Sequence, residues 1–174
     1  MMEMHISGDS VKLHPITKEN LSRINLWYKQ TDSFGFATGG KNPEEIRIGQ
    51  SDGLTGFVLG IYPANTDECI GLVAGEIKNI REPVLWVRTF LIDTLWQRKA
   101  YGSNAFQLLS DYISRNYSIK KVFVSVSVKN QAGALFWKSL GFRCIRLFYG
   151  KSGHNSTVFI FEKVIKPWPP AQIR

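Results

Sequence analysis

The hydrophobic pattern divides the chain into strand-like and helix-like segments. Short apolar or alternating runs bounded by turn residues predict strands over residues 11–16, 57–62, 69–77, 84–92, 122–128, 142–148 and 157–164. Helical spacing of apolar residues predicts helices from the N-cap Thr17 to Lys29, over 100–116 and over 130–140. Pro43 is placed to begin one more short helix.

The order of these segments predicts the fold class. A helix lies between strands 84–92 and 122–128, which makes them a crossover unit whose two strands run parallel. The meander before this unit and the hairpin after it are antiparallel. We therefore expect an α/β (α+β) fold, a single domain over residues 1–166 with a mixed central sheet of about six or seven strands flanked by helices. The proline-containing tail over 167–174 is expected to be irregular.

Composition excludes several classes of protein. The net charge is +8, but Lys and Arg are scattered, so we expect a solvated basic surface and no nucleic-acid partner. Cys69 and Cys144 have no metal-ligand spacing, so neither zinc nor another metal is expected. The first ten residues lack a signal-peptide core and no apolar run is long enough to cross a bilayer. A cytoplasmic protein without a membrane partner is the expectation.

The turn after strand 84–92 is a candidate anion site. The segment Gln97-Arg98-Lys99-Ala100-Tyr101-Gly102-Ser103 leads from the strand into a helix. The first N–H groups of a helix lack internal partners and its dipole is positive there, so a pyrophosphate can bind. Ala100 and Gly102 are small enough for close backbone approach, and Arg98 and Lys99 add charge. A strand, turn and helix with one glycine is common, so this segment alone is weak evidence.

A second segment makes the interpretation specific. Asn130 is placed to cap a helix that ends at Leu140-Gly141-Phe142, with the aromatic Trp137 seven residues after the cap. Together, Gln97-x-x-Ala100-x-Gly102-Ser103 and Asn130 to Phe142 resemble the paired motifs of the GNAT superfamily of N-acetyltransferases. Both motifs lie on the expected elements in the expected order. The clear part of the resemblance covers residues 84–148.

The resemblance implies a GNAT-like domain that uses acetyl-CoA as cosubstrate and transfers acetyl to an amine directly. The pantetheine arm would lie along the end of strand 84–92, the pyrophosphate would bind the turn, and Asn130 would touch the arm or act only as a cap. The implied cofactor-binding residues are Phe90, Leu91, Ile92, Gln97, Arg98, Lys99, Ala100, Tyr101, Gly102, Ser103, Asn130 and Trp137.

Three positions depart from the family pattern. Ala100 replaces the first glycine, and we expect a negative φ there, as a helix start requires. Trp137 stands where the family's usual general acid is a Tyr, and an indole gives up no proton usefully; water, Tyr101 or Tyr149 are left open as donors. Ser125 stands where some members place a Glu base. Glu76 is the remaining candidate base, while Asp93 is expected to order the turn.

The acceptor is expected to be a primary amine of a small molecule or a peptide. In the family its site lies between the first helices and the last hairpin, here residues 27–41 and 149–157, whose aromatics favour an apolar or planar acceptor. These residues are Trp27, Tyr28, Phe34, Phe36, Tyr149 and His154. A homodimer is left open. The alternative is a non-catalytic acyl-CoA-binding or sensing module, because both the usual Tyr and the usual Glu are missing.

Overall fold

The computed structural model describes residues 4–29, 56–79, 81–149 and 157–165. Eight strands and three α-helices lie in these ranges. The strands are β1 (Ile6–Ser7), β2 (Val11–Pro15), β3 (Gly56–Pro63), β4 (Gly71–Lys78), β5 (Val84–Ile92), β6 (Lys121–Ser127), β7 (Arg143–Phe148) and β8 (Val158–Val164). The helices are α1 (Lys18–Lys29), α2 (Tyr101–Tyr117) and α3 (Gln131–Ser139), with a 3₁₀ turn at Thr94–Trp96.

All eight strands form one mixed sheet, in the order β1-β2-β3-β4-β5-β6-β8-β7. β5 and β6 pair in parallel, and the other neighbours pair antiparallel. The predicted α/β class and the parallel crossover through α2 are confirmed. The predicted count of six or seven strands is too low, because the two-residue β1 is too short to show a hydrophobic period.

Apolar side chains on the two faces of the sheet form two clusters. The larger cluster packs beneath α2 and α3 and includes Leu85, Val87, Phe106 and Trp137. A smaller cluster lies against α1 on the opposite face; its buried members are Ile24, Trp27, Tyr62, Cys69, Leu72 and Leu91. Because side chains alternate between faces along β5, this one strand contributes to both clusters.

Predicted helix ends agree with the local geometry. Asn130 caps α3 by accepting a hydrogen bond from the backbone nitrogen of Gly133 at 2.8 Å, and Gly141 after the helix has a left-handed φ of 84°. Ser118 ends α2, also in the left-handed region.

Some predictions concern residues outside the described ranges. They are the short helix at Pro43 and the irregular tail over 167–174. No helix among the residues that the structure describes is both long enough and apolar enough to cross a membrane.

Candidate active site

The centre of the sheet opens where β5 and β6 separate. Their parallel pairing runs from Val84 opposite Lys121 to Val87 opposite Val124, whereas β5 continues to Ile92 and β6 to Ser127. Beyond the Val87–Val124 pair the two strands border a cleft of about 400 Å³. The cleft is lined by Val87, Arg88, Phe90, Leu91, Ile92, Gln97, Arg98, Ala100, Gly102, Ser103, Val124, Ser125, Val126, Asn130, Ala132, Gly133, Phe136 and Trp137.

The N-terminus of α2 faces this cleft. Ala100 occupies the N-cap position, and its carbonyl accepts the first helical hydrogen bond, from the backbone nitrogen of Asn104 at 2.9 Å. An alanine has no side-chain oxygen with which to cap the free N–H groups of the first helical turn that follows it. Gly102 brings the helix close to α3, since a Cβ at this position would lie 3.3 Å from the ring of Phe136. The arrangement leaves the positive end of a 17-residue helix beside an open cleft, which suits an anionic group.

The turn before α2 contains two non-glycine residues in the left-handed region. Arg98 has a φ of 60° and Ala100 a φ of 63°. The expectation of a negative φ at Ala100 is therefore wrong, because Ala100 precedes the first helical turn and does not share its conformation. A Cβ in this region costs about 1–2 kcal/mol, which explains why glycine suits the position. Strained residues of this kind concentrate at ligand-binding sites.

Asp93 holds the other end of the same turn. Its Oδ1 accepts a hydrogen bond from the backbone nitrogen of Leu95 at 3.0 Å, which caps the 3₁₀ turn. Its Oδ2 accepts a buried hydrogen bond from the indole nitrogen of Trp27 at 3.0 Å, and Arg23 lies 3.6 Å from it. Asp93 thus orders the turn, as expected from the sequence, and ties it to α1.

Gln97 connects the turn to the strand. Its side-chain amide donates to the carbonyl oxygen of Ile92 at 2.8 Å, where β5 ends. Gln97 therefore occupies the backbone carbonyl of the last residue of β5.

Trp137 lies within an aromatic cluster. It is 6% exposed, and its ring centroid lies 4.9–5.5 Å from those of Phe90, Phe106, Phe136 and Phe142. Since an indole N–H is not an acid at neutral pH, this position does not supply the proton that a Tyr would. Trp137 is both a core residue and a wall of the cleft.

Glu76 does not line the cleft. It lies opposite Trp86 in the β4–β5 register, and its carboxylate accepts hydrogen bonds from Arg88 and forms an ion pair with Lys78 at 3.1 Å. Burial raises the pKa of the Glu76 carboxyl, but the hydrogen bonds from Arg88 and Lys78 outweigh burial and hold that pKa below its ordinary value. A carboxylate so paired is a weaker proton acceptor than a solvated one.

The structure brings most of the predicted cofactor-binding residues together. Phe90, Leu91, Ile92, Gln97, Arg98, Ala100, Gly102, Ser103, Asn130 and Trp137 line the cleft. Lys99 and Tyr101 are not among its lining residues. They pack against Trp96, with Lys99 Nζ 5.3 Å and the Tyr101 ring 5.4 Å from the centroid of the indole.

Sequence reasoning missed other lining residues, namely Val87, Arg88, Val124, Val126, Ala132, Gly133 and Phe136. The parallel pairing of β5 with β6 was predicted, but the point at which it stops was not, and that point decides which strand residues border the cleft. No local sequence pattern marks Arg88. In the structure it falls at a register shift opposite Ala74 and Gly75, where a bulge interrupts the β4–β5 ladder.

The predicted acceptor aromatics have different placements. Trp27 is 3% exposed and belongs to the smaller core cluster, whereas Tyr149 is 71% exposed. Trp27 is thus a core residue and not part of an open acceptor surface. The side chains of Tyr28, Phe34, Phe36 and His154 lie outside the described part of the chain.

Comparison with known proteins identifies related domains. The family model described as an acetyltransferase (GNAT) domain matches residues 14–159. The acetyltransferase from Salmonella typhimurium that modifies the N-terminal serine of the ribosomal protein L7/L12 is 15% identical, with a TM-score of 0.74 over 94% of this chain and 100% of that chain. Spermidine N-acetyltransferase from Vibrio cholerae, solved with CoA and spermine, is 15% identical, with a TM-score of 0.72 over 90% and 96% of the two chains.

A plant protein is similar to the same degree. NAA60 from Arabidopsis thaliana, solved with a bisubstrate analogue, is 16% identical, with a TM-score of 0.70 over 91% of this chain and 100% of that chain. No curated protein sequence matches this chain. At these identities the solved structures establish a shared fold, and the family model establishes the family.

Proposed function

The chain belongs to the GNAT family of acetyltransferases, and from this we propose that it transfers the acetyl group of acetyl-CoA directly to a primary amine of a small molecule or peptide. The observation that supports this proposal most strongly is the separation of β5 from β6 after Val87 and Val124, beside the N-terminus of α2. The proposed cosubstrate has a polar arm and an anionic pyrophosphate, and the cleft offers a complement to each.

The polar arm would bind the backbone of β5. Beyond Val87, the β6-facing edge of β5 has no described strand paired with it. Its amide and carbonyl groups can therefore pair with an extended ligand, except the carbonyl of Ile92, which accepts from Gln97. The pyrophosphate would bind the first N–H groups of α2, with Arg98 and Ser103 beside them. Because these contacts would use mainly backbone atoms, the side chains of Phe90 and Ile92 can pack in or against the core at the same time.

The reaction forms an amide C–N bond, breaks the thioester C–S bond and releases the proton of the amine. Trp137 offers no acidic proton for the leaving thiolate. A thiol of pKa about 8.5 leaves as thiolate at pH 7 at a cost of only about 2 kcal/mol, so this loss is tolerable. With Glu76 held by Arg88, the amine proton would pass to water, and the rate would come chiefly from holding amine and thioester together.

A weak base favours acceptors whose amine is easily deprotonated. Deprotonating a lysine side chain at pH 7 costs about 4.6 kcal/mol, whereas an α-amine costs about 1.2 kcal/mol. The similar structures include an enzyme that modifies an N-terminal serine and one named for spermidine. We therefore place α-amines before side-chain amines and polyamines among the acceptors.

The second candidate function is a non-catalytic acyl-CoA-binding module. The burial of Trp137 in the core and the pairing of Glu76 with Arg88 and Lys78 favour it, because neither residue is positioned as a general acid or base.

Release of CoA from acetyl-CoA in the presence of an amine panel distinguishes the two functions. The panel contains a peptide α-amine, an Nα-blocked lysine and a polyamine, and acetyl-CoA affinity is measured in parallel by calorimetry. We expect turnover to be highest with the α-amine. Binding without turnover on any amine would support the module, and absence of binding would exclude both.

A matched pair of variants locates the activity. Gly102→Val places a branched side chain against Phe136 at the N-terminus of α2 and is expected to abolish acetyl-CoA binding. Gln107→Val, on the exposed side of the same helix, introduces the same residue away from the cleft and should leave binding intact.

A further inference from the structure

A second cavity lies at the edge of the sheet, beside the start of α1. Its volume is about 440 Å³, and none of the residues that line it also lines the cleft between β5 and β6. Its walls come from the first two strands, β3, the start of α1 and the β3–β4 connection, and they include His5 and His14. The cavity is therefore separate from the candidate active site and brings two imidazoles together.

His5 and His14 face each other across the first hairpin. Ile6 pairs with Leu13 and Ser7 with Lys12, so His5 and His14 are the next cross-strand pair in the same register. Side chains directly opposite one another in an antiparallel pair lie on the same face of the sheet, with Cβ atoms about 4.5–5.5 Å apart. The hairpin thus holds the two imidazoles side by side, although no metal-ligand spacing in the sequence connects them.

The spacing of the two rings is that of imidazoles bound to one metal ion. Their centroids are 5.1 Å apart, and their planes are inclined at 57°. With Zn–N bonds of about 2.0–2.1 Å and a tetrahedral angle at the ion, two ligand imidazoles have centroids about 5.2 Å apart. Rings stacked in parallel planes could not direct nitrogen atoms at a common ion, whereas inclined rings can.

One nitrogen of this pair has no partner. The Nε2 atom of His14 is buried and has no hydrogen-bond partner among the described residues. Buried polar atoms in proteins are almost always paired, so an unpaired nitrogen calls for an explanation. A metal ion bound to the imidazole would occupy it.

The charges around the cavity favour a cation over an anion. The ammonium group of Lys12 lies 2.7 Å from the carboxylate of Asp67, which neutralises it, and Glu19 contributes a further negative charge. Imidazole is mostly neutral at pH 7, which is the form that binds metals. No group of three or more His, Cys, Asp or Glu side chains within the described part of the chain is arranged to hold a metal, so an ion would have two protein ligands and water.

We propose that His5 and His14 form a binding site for a divalent transition-metal ion, and that zinc suits the ring spacing best. The ion would link the segment that leads into the two-residue β1 to β2. Two protein ligands are fewer than the four of a structural zinc site, so binding is reversible. The proposal does not depend on the transferase function, because the cavity and the cleft share no lining residue.

The test is a calorimetric titration of the full chain with zinc chloride near neutral pH. Cys144 is exposed and a thiolate also binds zinc, so every protein in the test carries Cys144→Ser. We expect one zinc ion per chain. Changes beyond the ligands themselves already cost about 10- to 100-fold in affinity, so His5→Gln and His14→Gln should each weaken binding by about tenfold or more. His154→Gln, which changes the third histidine of the sequence, should bind zinc like the parent.

Two results of this titration would overturn the proposal. One is the absence of zinc binding by the parent, and the other is an unchanged affinity in His5→Gln and His14→Gln. Magnesium is the control for simple attraction to Asp67 and Glu19, because it prefers oxygen ligands. Magnesium binding as tight as that of zinc would also contradict ligation by the imidazoles.

Thermal unfolding guards against a variant that folds poorly. His5 is exposed, so His5→Gln should fold even if His14→Gln does not. Zinc should raise the unfolding midpoint of the parent by mass action and leave that of His5→Gln unchanged, whereas an equal rise in both would contradict the site. These measurements use neither acyl-CoA nor an amine, so their failure is distinguishable from failure of the proposed transferase function.

Discussion

Trp27 donates a hydrogen bond from its indole nitrogen to Oδ2 of Asp93, 3.0 Å away and 66 positions later in the chain. The bond is buried, and it joins α1 to the residue that follows β5 and begins the turn into α2. One carboxylate thus connects the helix of the smaller core cluster to the turn that borders the cleft. The position of the turn before α2 therefore depends on how α1 packs, on the face of the sheet opposite to α2 and α3.

We predict that Trp27→Phe lowers the free energy of unfolding by about 1–3 kcal/mol, because the buried Oδ2 of Asp93 loses its hydrogen-bond donor and keeps only the ion pair with Arg23 at 3.6 Å. Urea unfolding measures the change. The neighbouring Leu26 is 58% exposed, so Leu26→Ala should change stability by less than about 0.5 kcal/mol. Equal losses in the two variants would mean that the hydrogen bond contributes nothing specific.

Replacing Ala100 by Gly should stabilise the protein by about 0.5–1 kcal/mol. The left-handed φ of 63° is strained for alanine and unstrained for glycine, and the relief exceeds the extra entropy that glycine loses on folding. The control is Ala134→Gly within α3, which should lose about 1 kcal/mol since that residue is helical. Opposite signs in the two unfolding free energies support the strain at Ala100, and a loss in both would contradict it.

The local features of the site could be predicted from the sequence. The cap at Asn130, the left-handed Gly141 and the turn into α2 each depend on residues within a few positions of one another. The conformation of Ala100 was not predictable in this way, because a small residue before a helix fits either sign of φ. Its φ follows from how β5, the 3₁₀ turn and α2 join in three dimensions.

The non-local features could be predicted only in part. Hydrophobic periods identified seven strands and the parallel crossover, but not the two-residue β1, whose length is below any period. Alternation along β5 and β6 does not indicate where their pairing ends, so Val87 and Val124 resembled ordinary core valines. The sequence also does not show that the ammonium group of Lys99 lies 5.3 Å from the centroid of the Trp96 ring.

Asn130→Asp separates capping from ligand contact. The aspartate retains the oxygen that accepts from Gly133, so stability should stay within about 0.5 kcal/mol of the wild type. It loses the side-chain amide donor and adds a negative charge at the cleft, so acetyl-CoA affinity should fall by roughly tenfold. Asn130→Ala, in contrast, should cost about 1 kcal/mol of stability through loss of the cap. An aspartate variant with wild-type affinity would restrict Asn130 to capping.

The ion pairs of Glu76 predict a pH-dependent contribution to stability. Its folded pKa lies below the ordinary value of 4.5, so the stabilisation is present above that pH and is lost as the pH falls through the folded pKa. Glu76→Gln should therefore lower the unfolding free energy by about 0.2–1 kcal/mol at pH 7, and the difference should shrink as the pH falls below the ordinary pKa of the carboxyl. Glu82→Gln, which removes an exposed carboxylate on the β4–β5 connection, is the control for the charge change.

The pH dependence of the rate provides a separate check on Glu76. With a saturating amine, the acid limb of the rate profile should be the same in Glu76→Gln as in the wild type, because the carboxylate lies outside the cleft. An acid limb that disappears in the variant would make Glu76 the base after all.

Amide hydrogen exchange with and without acetyl-CoA tests the central claim most directly, namely that the cosubstrate binds between β5 and β6 at the N-terminus of α2. A saturating ligand is expected to slow exchange of the amides over residues 88–92 and 101–103 and to leave the amides of β1, β2 and β3 unchanged. Protection confined to those outer strands, or no protection in either segment at saturation, would contradict it.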